Sequence, residues 1–151
     1  MTASIEQIIH QGSLLSIIVR AGYRQEGIAF FTPDNFSQQL AYMNRPAGYV
    51  IEPHTHNEVR REVFLTQEVL LIRKGRLRVD FYGDDQSYIQ STVLNTGDVI
   101  LLASQGHGFE MLEPTEIIEV KQGPYSGEQD KTRFKGIPSE QAVIHKPSEK
   151  E

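Results

Sequence analysis

The strongest constraint on this chain is its succession of short runs rich in Val, Ile, Leu and aromatic residues. They are LLSIIV (14–19), IAFF (28–31), YVIEPH (49–54), VLLIRKG (69–75), RLRVDFY (76–82), STVLN (91–95), DVILLAS (98–104), GFEML (108–112) and EIIEVKQ (116–122). Gly, Asp, Asn or Pro stands between them, as in antiparallel strands joined by turns. RLRVDFY alternates strictly, with Leu77, Val79 and Phe81 on one face and Arg76, Arg78, Asp80 and Tyr82 on the other. YGDDQSY and LNTGD supply turn residues at the spacing of a sandwich or barrel. An all-β fold is predicted.

Helical signal is sparse. SIEQIIHQ opens on a Ser cap and is readable as two turns of helix or as a strand, and DNFSQQLAYM as a helical turn or the approach to a strand. A length of 151 residues suits one domain. We place that domain at 1–125, with a polar C-terminal extension at 126–151 that has little core of its own and a partly disordered tip.

The formal net charge of −5 gives no one-sided basic field for nucleic acid, and the densest basic stretch, RKGRLR (73–78), is expected to be solvated. Cysteine is absent, which excludes disulfides, thiolate metal sites and cysteine nucleophiles. MTASIEQIIHQGSLLSIIV has no basic n-region and an interrupted apolar run, so it does not read as a secretion signal. No window is long and apolar enough to cross a membrane. The expectation is a soluble, cytoplasmic protein.

Function turns on five histidines. His54 and His56 stand one residue apart. On a strand both imidazoles would face one side and reach one ion; at a loop edge they would be two exposed polar residues. Glu68 heads an apolar run, a costly place for a carboxylate without a partner. GDVILLASQGHGFEM then sets His107 between Gly106 and Gly108, which implies close backbone packing around it. Three imidazoles and a carboxylate make a complete first set of metal ligands. His10 and His145 fall outside these motifs and read as surface residues.

These residues resemble the cupin superfamily. Gly48, His54, His56, Glu68 and Gly75 fill its first motif, with five residues between Gly48 and His54 and six between Glu68 and Gly75; Gly97, Asp98 and His107 match its second. The resemblance spans roughly 38–122. It departs in two places. Eleven residues separate His56 from Glu68 where the family has only a few, leaving Glu62, and more weakly Glu58, as competing carboxylates. Ala103 stands where the second motif has proline, and that motif is about one residue short before its histidine.

The resemblance implies a double-stranded β-helix, the cupin jelly-roll barrel, around one divalent ion held by His54, His56, Glu68 and His107. Four N and O ligands saturate tetrahedral zinc but leave two positions open on octahedral Fe, Mn, Co or Ni. The implied activity is a metal-dependent enzyme acting on a small organic molecule, with dioxygenase or isomerase/epimerase chemistry. The other reading is a non-catalytic sugar- or metabolite-binding protein. No helix-turn-helix fits beside the barrel, so a transcription factor is disfavoured, and a complete ligand set argues against an inert storage-type relative. Counting by twos from His107 sets Phe109 and Met111 toward the pocket. Glu119 and Lys121 share a strand face; if inward, Lys121 would orient an anionic substrate, and if outward the two form a solvated pair. Tyr49, Arg60, Arg61 and Tyr125 are further candidates at the mouth. A homodimer is expected, with LLSIIV as the strand exchanged.

Overall fold

The computed structural model describes residues 4–147. The chain divides into two units. One joins the chain up to Tyr23 with everything from Leu65 onward, and the other is Arg24–Phe64.

The larger unit is a pair of antiparallel sheets. Strands β1 (Ile5–His10) and β2 (Ser13–Val19) form the N-terminal hairpin. Gln11 and Gly12 both take positive φ, 48° and 79°, the two-residue turn whose twist suits a hairpin. The smaller unit carries a separate two-stranded sheet, β3 (Gly27–Phe30) with β4 (Ala41–Asn44). Back in the larger unit come β5 (Glu68–Lys74), β6 (Arg76–Tyr82), β7 (Tyr88–Asn95), β8 (Val99–Leu102), β9 (Gly106–Met111) and β10 (Glu116–Lys121). The five-stranded sheet runs β1-β2-β8-β5-β10 and the three-stranded sheet β7-β6-β9.

The sheets meet through side chains. Ile8, Leu15 and Ile18 of the hairpin join Leu70, Ile72, Ile100 and Leu102 on one side, and Leu77, Val79, Phe81 and Leu94 on the other, in one buried core. The alternation in RLRVDFY is therefore real: Leu77 and Val79 are completely buried and Phe81 nearly so. At the β5–β6 turn Gly75 has φ 94°, and a Cβ there would run into the Pro114 carbonyl.

Several expectations change. Residues 5–10 form a strand rather than helical turns, because Glu6 and Ile8 alternate into the interior while the backbone pairs with β2. No sheet closes into a barrel. Residues 49–54 hold no strand; Val50 and Ile51 are exposed and the backbone of this stretch finds no ladder partner. LLSIIV is not a free edge for exchange between copies, since β2 is hydrogen-bonded on both sides, to β1 and β8. RKGRLR is only partly solvated, because Arg78 is buried.

The C-terminal segment lies along the outer face of the three-stranded sheet. After short 3-10 turns at Gly127–Asp130 and Ser139–Gln141 it bridges in parallel to β7, Ser91 opposite Ile144. The Ser91 N–H donates to the Val143 carbonyl at 2.8 Å and the His145 N–H to the Ser91 carbonyl at 2.6 Å. Among the described residues no helix is long and apolar enough to cross a membrane.

Candidate functional site

Glu68 opens β5, flanked in the sheet by Leu102 of β8 and Lys121 of β10. His107 sits in β9 opposite Phe81 and so shares the inward face of β6. The two sheets thus bring residues from separate strands together: His107 Nε2 lies 3.2 Å from Glu68 Oε2. The side chains retain 26% and 13% exposure, shielded but open to a small molecule. Phe109, two residues along β9, packs its ring against His107 with centroids 5.3 Å apart.

The hydrogen bond from His107 holds the Glu68 carboxyl below the usual glutamate range. Partial burial opposes that shift, and the charges of His107, Lys121 and Lys131 add to it. A carboxyl so lowered stabilises the fold above its unfolded-state pKa, near 4.5, and loses that contribution as pH falls through the lower folded value. In the metal-free chain, Glu68→Gln is therefore expected to narrow the stability gap to wild type as pH drops below that region. Parallel urea titrations from neutral to acid pH measure it, and a gap that widens toward acid refutes the assignment.

The pair lies in a cleft of about 700 Å³. Its lining wraps the edge of the three-stranded sheet: His107 and Phe109 come from the inner face of β9, and Arg78, Asp80 and Tyr82 from the outer face of β6, where the C-terminal segment from Asp130 to Ile137 also contributes. Gly106 lets sheet and segment approach, since a Cβ there would meet Tyr82 Cβ at 3.0 Å and Phe134 Cζ at 3.2 Å. The tightness expected around His107 arises there, on the opposite face of β9. Phe134 packs edge-on against Tyr82 at 5.1 Å, and the Ile137 N–H donates to the Tyr82 hydroxyl at 3.0 Å. At the other end, the Thr66 hydroxyl donates to Asp130. The segment is pinned at both ends.

His54 and His56 lie in the Arg24–Phe64 unit on irregular chain rather than on a strand face. Their rings are nevertheless neighbours, with centroids 5.3 Å apart and planes at 79°. His54 Nδ1 stands 3.0 Å from the Glu52 carbonyl oxygen, so the tautomer that donates there leaves Nε2 as a lone-pair donor. Of the competing carboxylates, Glu62 pairs with Arg60 at 3.1 Å in an exposed setting, while Glu68 faces an imidazole.

Among the described residues no group of three or more His, Cys, Asp or Glu side chains gathers closely enough to hold a metal ion. The donors come as two pairs, His54 with His56 and Glu68 with His107.

Of the pocket candidates, Phe109 lines the cleft and Met111 does not; Met111 sits opposite Leu77, four residues along β9 from His107, and is 53% exposed. Glu119 and Lys121 are likewise outside the lining and pair with each other at 3.6 Å.

The sequence reading missed Arg78, Asp80, Gln105 and Lys131 in the lining. Arg78 and Asp80 stand two apart on β6, a spacing that marks a shared face, and Gln105 directly precedes the Gly106–Gly108 stretch already singled out. Nothing local marks Lys131.

The fold and cleft define an all-β protein with a partly shielded carboxylate–imidazole site. The chain matches no protein-family model, no curated protein and no solved structure.

Proposed function

We propose that the chain is a divalent-metal protein of the cupin jelly-roll kind, acting as an enzyme on a small organic molecule. The observation that carries this reading is the Glu68–His107 contact inside a cleft of ligand size. The carboxylate and imidazole, 3.2 Å apart at Glu68 Oε2 and His107 Nε2, are oxygen and nitrogen donors of the kind such an ion would take. His54 sets Nδ1 against a backbone carbonyl, and the tautomer that donates there keeps on Nε2 the lone pair a ligand histidine uses. Strand pairing supports the jelly roll: the β6–β7 hairpin is nested within the β5–β8 pair, while β9 and β10 return beside β6 and β5. That is the course of a long hairpin folded over into two sheets.

In this reading His54, His56, Glu68 and His107 hold the ion. An iron, manganese, cobalt, nickel or zinc ion held by them would supply Lewis acidity toward a carbonyl or carboxylate, or oxygen chemistry. The protein contributes the rest. Glu68, ionised across the neutral range, brings negative charge, while Phe109 and His107 exclude bulk water from one flank of the cleft and Phe134 from another. A binding protein without turnover would use the same cleft, and substrate conversion separates the two readings.

Metal analysis by mass spectrometry, on protein purified without a histidine tag or chelator, tests the proposal. About one ion per chain is expected, lost in His54→Ala and Glu68→Ala and retained in Glu62→Ala. The ion should leave as pH falls through the range where histidine protonates, because imidazole binds metal only when neutral. A chain that takes up none of these divalent ions sinks the reading.

A further inference from the structure

We infer that the cleft selects a small hydroxylated carboxylic acid, with the Lys131 ammonium receiving the carboxylate and Gln105 a hydroxyl. The inference deepens the small-molecule reading of this site and rests on it.

Glu68 is engaged by His107, Arg78 by Asp80 and Glu110, Arg133 by Glu128 and Asp130 by Thr66. Among the described residues the exposed Lys131 lines the same space and makes no hydrogen bond or ion pair, its charge reaching Glu68 and Glu128 only at longer range. An ammonium at the cleft with no direct partner is open to an incoming anion as a counter-ion. A carboxylate suits it better than a phosphate group. A carboxylate carries the single charge that one ammonium matches, whereas phosphate carries about −1.5 to −2 at neutral pH.

Gln105 supplies the second group. It lines the cleft in a left-handed backbone conformation, φ 60°, and its Oε1 is buried without a hydrogen-bond partner. An unmet buried acceptor is costly, and a ligand hydroxyl satisfies it once the amide turns toward the cleft. Lys131 also sits on a prepared wall, since Asp130 is tied to Thr66 and Ile137 to Tyr82. A ligand therefore meets a segment already ordered, which saves the entropy of ordering it.

The test uses the six-carbon probes gluconate, sorbitol and hexanoate with isotope-labelled full-length chain, observed by amide NMR. Sorbitol lacks the carboxylate and hexanoate the hydroxyls. On metal-free protein, gluconate is expected to shift the signals of Gly106, Gly108 and Thr132 saturably and to bind at least about tenfold more tightly than either control, one pair of charge-assisted contacts. Lys131→Met should erase the advantage over sorbitol. Lys135→Met, on the same segment but outside the lining, should keep it. Equal binding of gluconate and sorbitol, or a preference that survives Lys131→Met, overturns the inference, as does tighter binding of glucose 6-phosphate than of gluconate. The metal-free format keeps the two ideas apart. A preference without any metal uptake defeats only the metal reading, and metal uptake without the preference defeats only this one.

Discussion

Arg20→Met is expected to destabilise the fold by about 3–5 kcal/mol, the cost of removing one partner from a buried ion cluster. Arg20 follows β2, and its guanidinium spans three segments. Nε and Nη2 donate to Glu6 of β1 at 2.6 and 2.9 Å; Nη1 donates to Asp98 at 2.9 Å and to the Val93 carbonyl at 2.8 Å. The Glu6 and Asp98 side chains are only 2% and 5% exposed, so without Arg20 two carboxylates stay buried with no cation. Burial alone would depress the Arg20 pKa, but its hydrogen bonds to Glu6 and Asp98 outweigh that and raise it. Asp98 also accepts the N–H groups of Ala21 and Asn95, at 2.8 and 2.9 Å, so it orders the turn into β8 as well as the ion pair. Thr92→Val is the control: it removes only the 3.3 Å contact from Arg20 Nη2 and should cost about 1 kcal/mol. Denaturant unfolding at neutral pH measures both. For a chain of this size the Arg20 loss corresponds to a fall in Tm on the order of 10 °C. If Arg20→Met costs no more than Thr92→Val, the cluster contributes little.

The same cluster marks what the sequence made legible. Gly97 and Asp98 were readable as a turn opening a strand, and the turn is there. Their tie to Arg20, 78 residues away, has no local signature. The strands of the larger unit were readable because one apolar face must be buried, which imposes period two on β6 and β-branched runs on β2 and β8. Residues 49–54 have similar composition yet form no strand. Strand propensity describes how a side chain sits on a pleated surface and cannot supply a partner for the backbone. The N-terminal segment misled in the opposite sense: a Ser cap allows a helix, and pairing with β2 decides otherwise.

At the site, His107 and Glu68 were singled out for the right physical reasons, a glycine-flanked imidazole and a carboxylate at the head of an apolar run. Their meeting required the sheet pairing. The tail's share of the cleft lining was invisible because 126–147 is polar and its attachment runs through backbone groups. Val143 donates to the Tyr88 hydroxyl at 2.8 Å and Ile137 to that of Tyr82, contacts that no composition reports. A polar tail with few apolar residues can lie against a sheet when tyrosine hydroxyls and strand edges satisfy its backbone.

The buried face beneath that tail gives the second large expected effect. Arg78 and Asp80 project from the outer face of β6, the side the alternation assigned to solvent, yet their side chains are 6% and 8% exposed. Arg78 Nε and Nη2 grip Asp80 at 2.8 and 3.0 Å, and Nη2 also reaches Glu110 at 2.8 Å. Asp80 accepts a further hydrogen bond from the Ser91 hydroxyl. Arg78→Met strands the Asp80 charge and is expected to cost about 3–5 kcal/mol. The desolvation of both ions is paid even in the wild type, which makes the double variant informative. In Arg78→Met/Asp80→Leu no unpaired charge remains in the centre of the face. Glu110, 41% exposed and also bonded by Ser139, keeps its solvent and its hydroxyl partner. The double variant should therefore regain most of the loss, ending within about 1–2 kcal/mol of wild type after the Ser91 hydroxyl loses its acceptor. A double-mutant cycle by urea unfolding reads the coupling, and limited proteolysis between residues 126 and 147 reports whether the tail stays seated. If the double variant is as unstable as Arg78→Met alone, the cost comes from packing and not from the orphaned carboxylate.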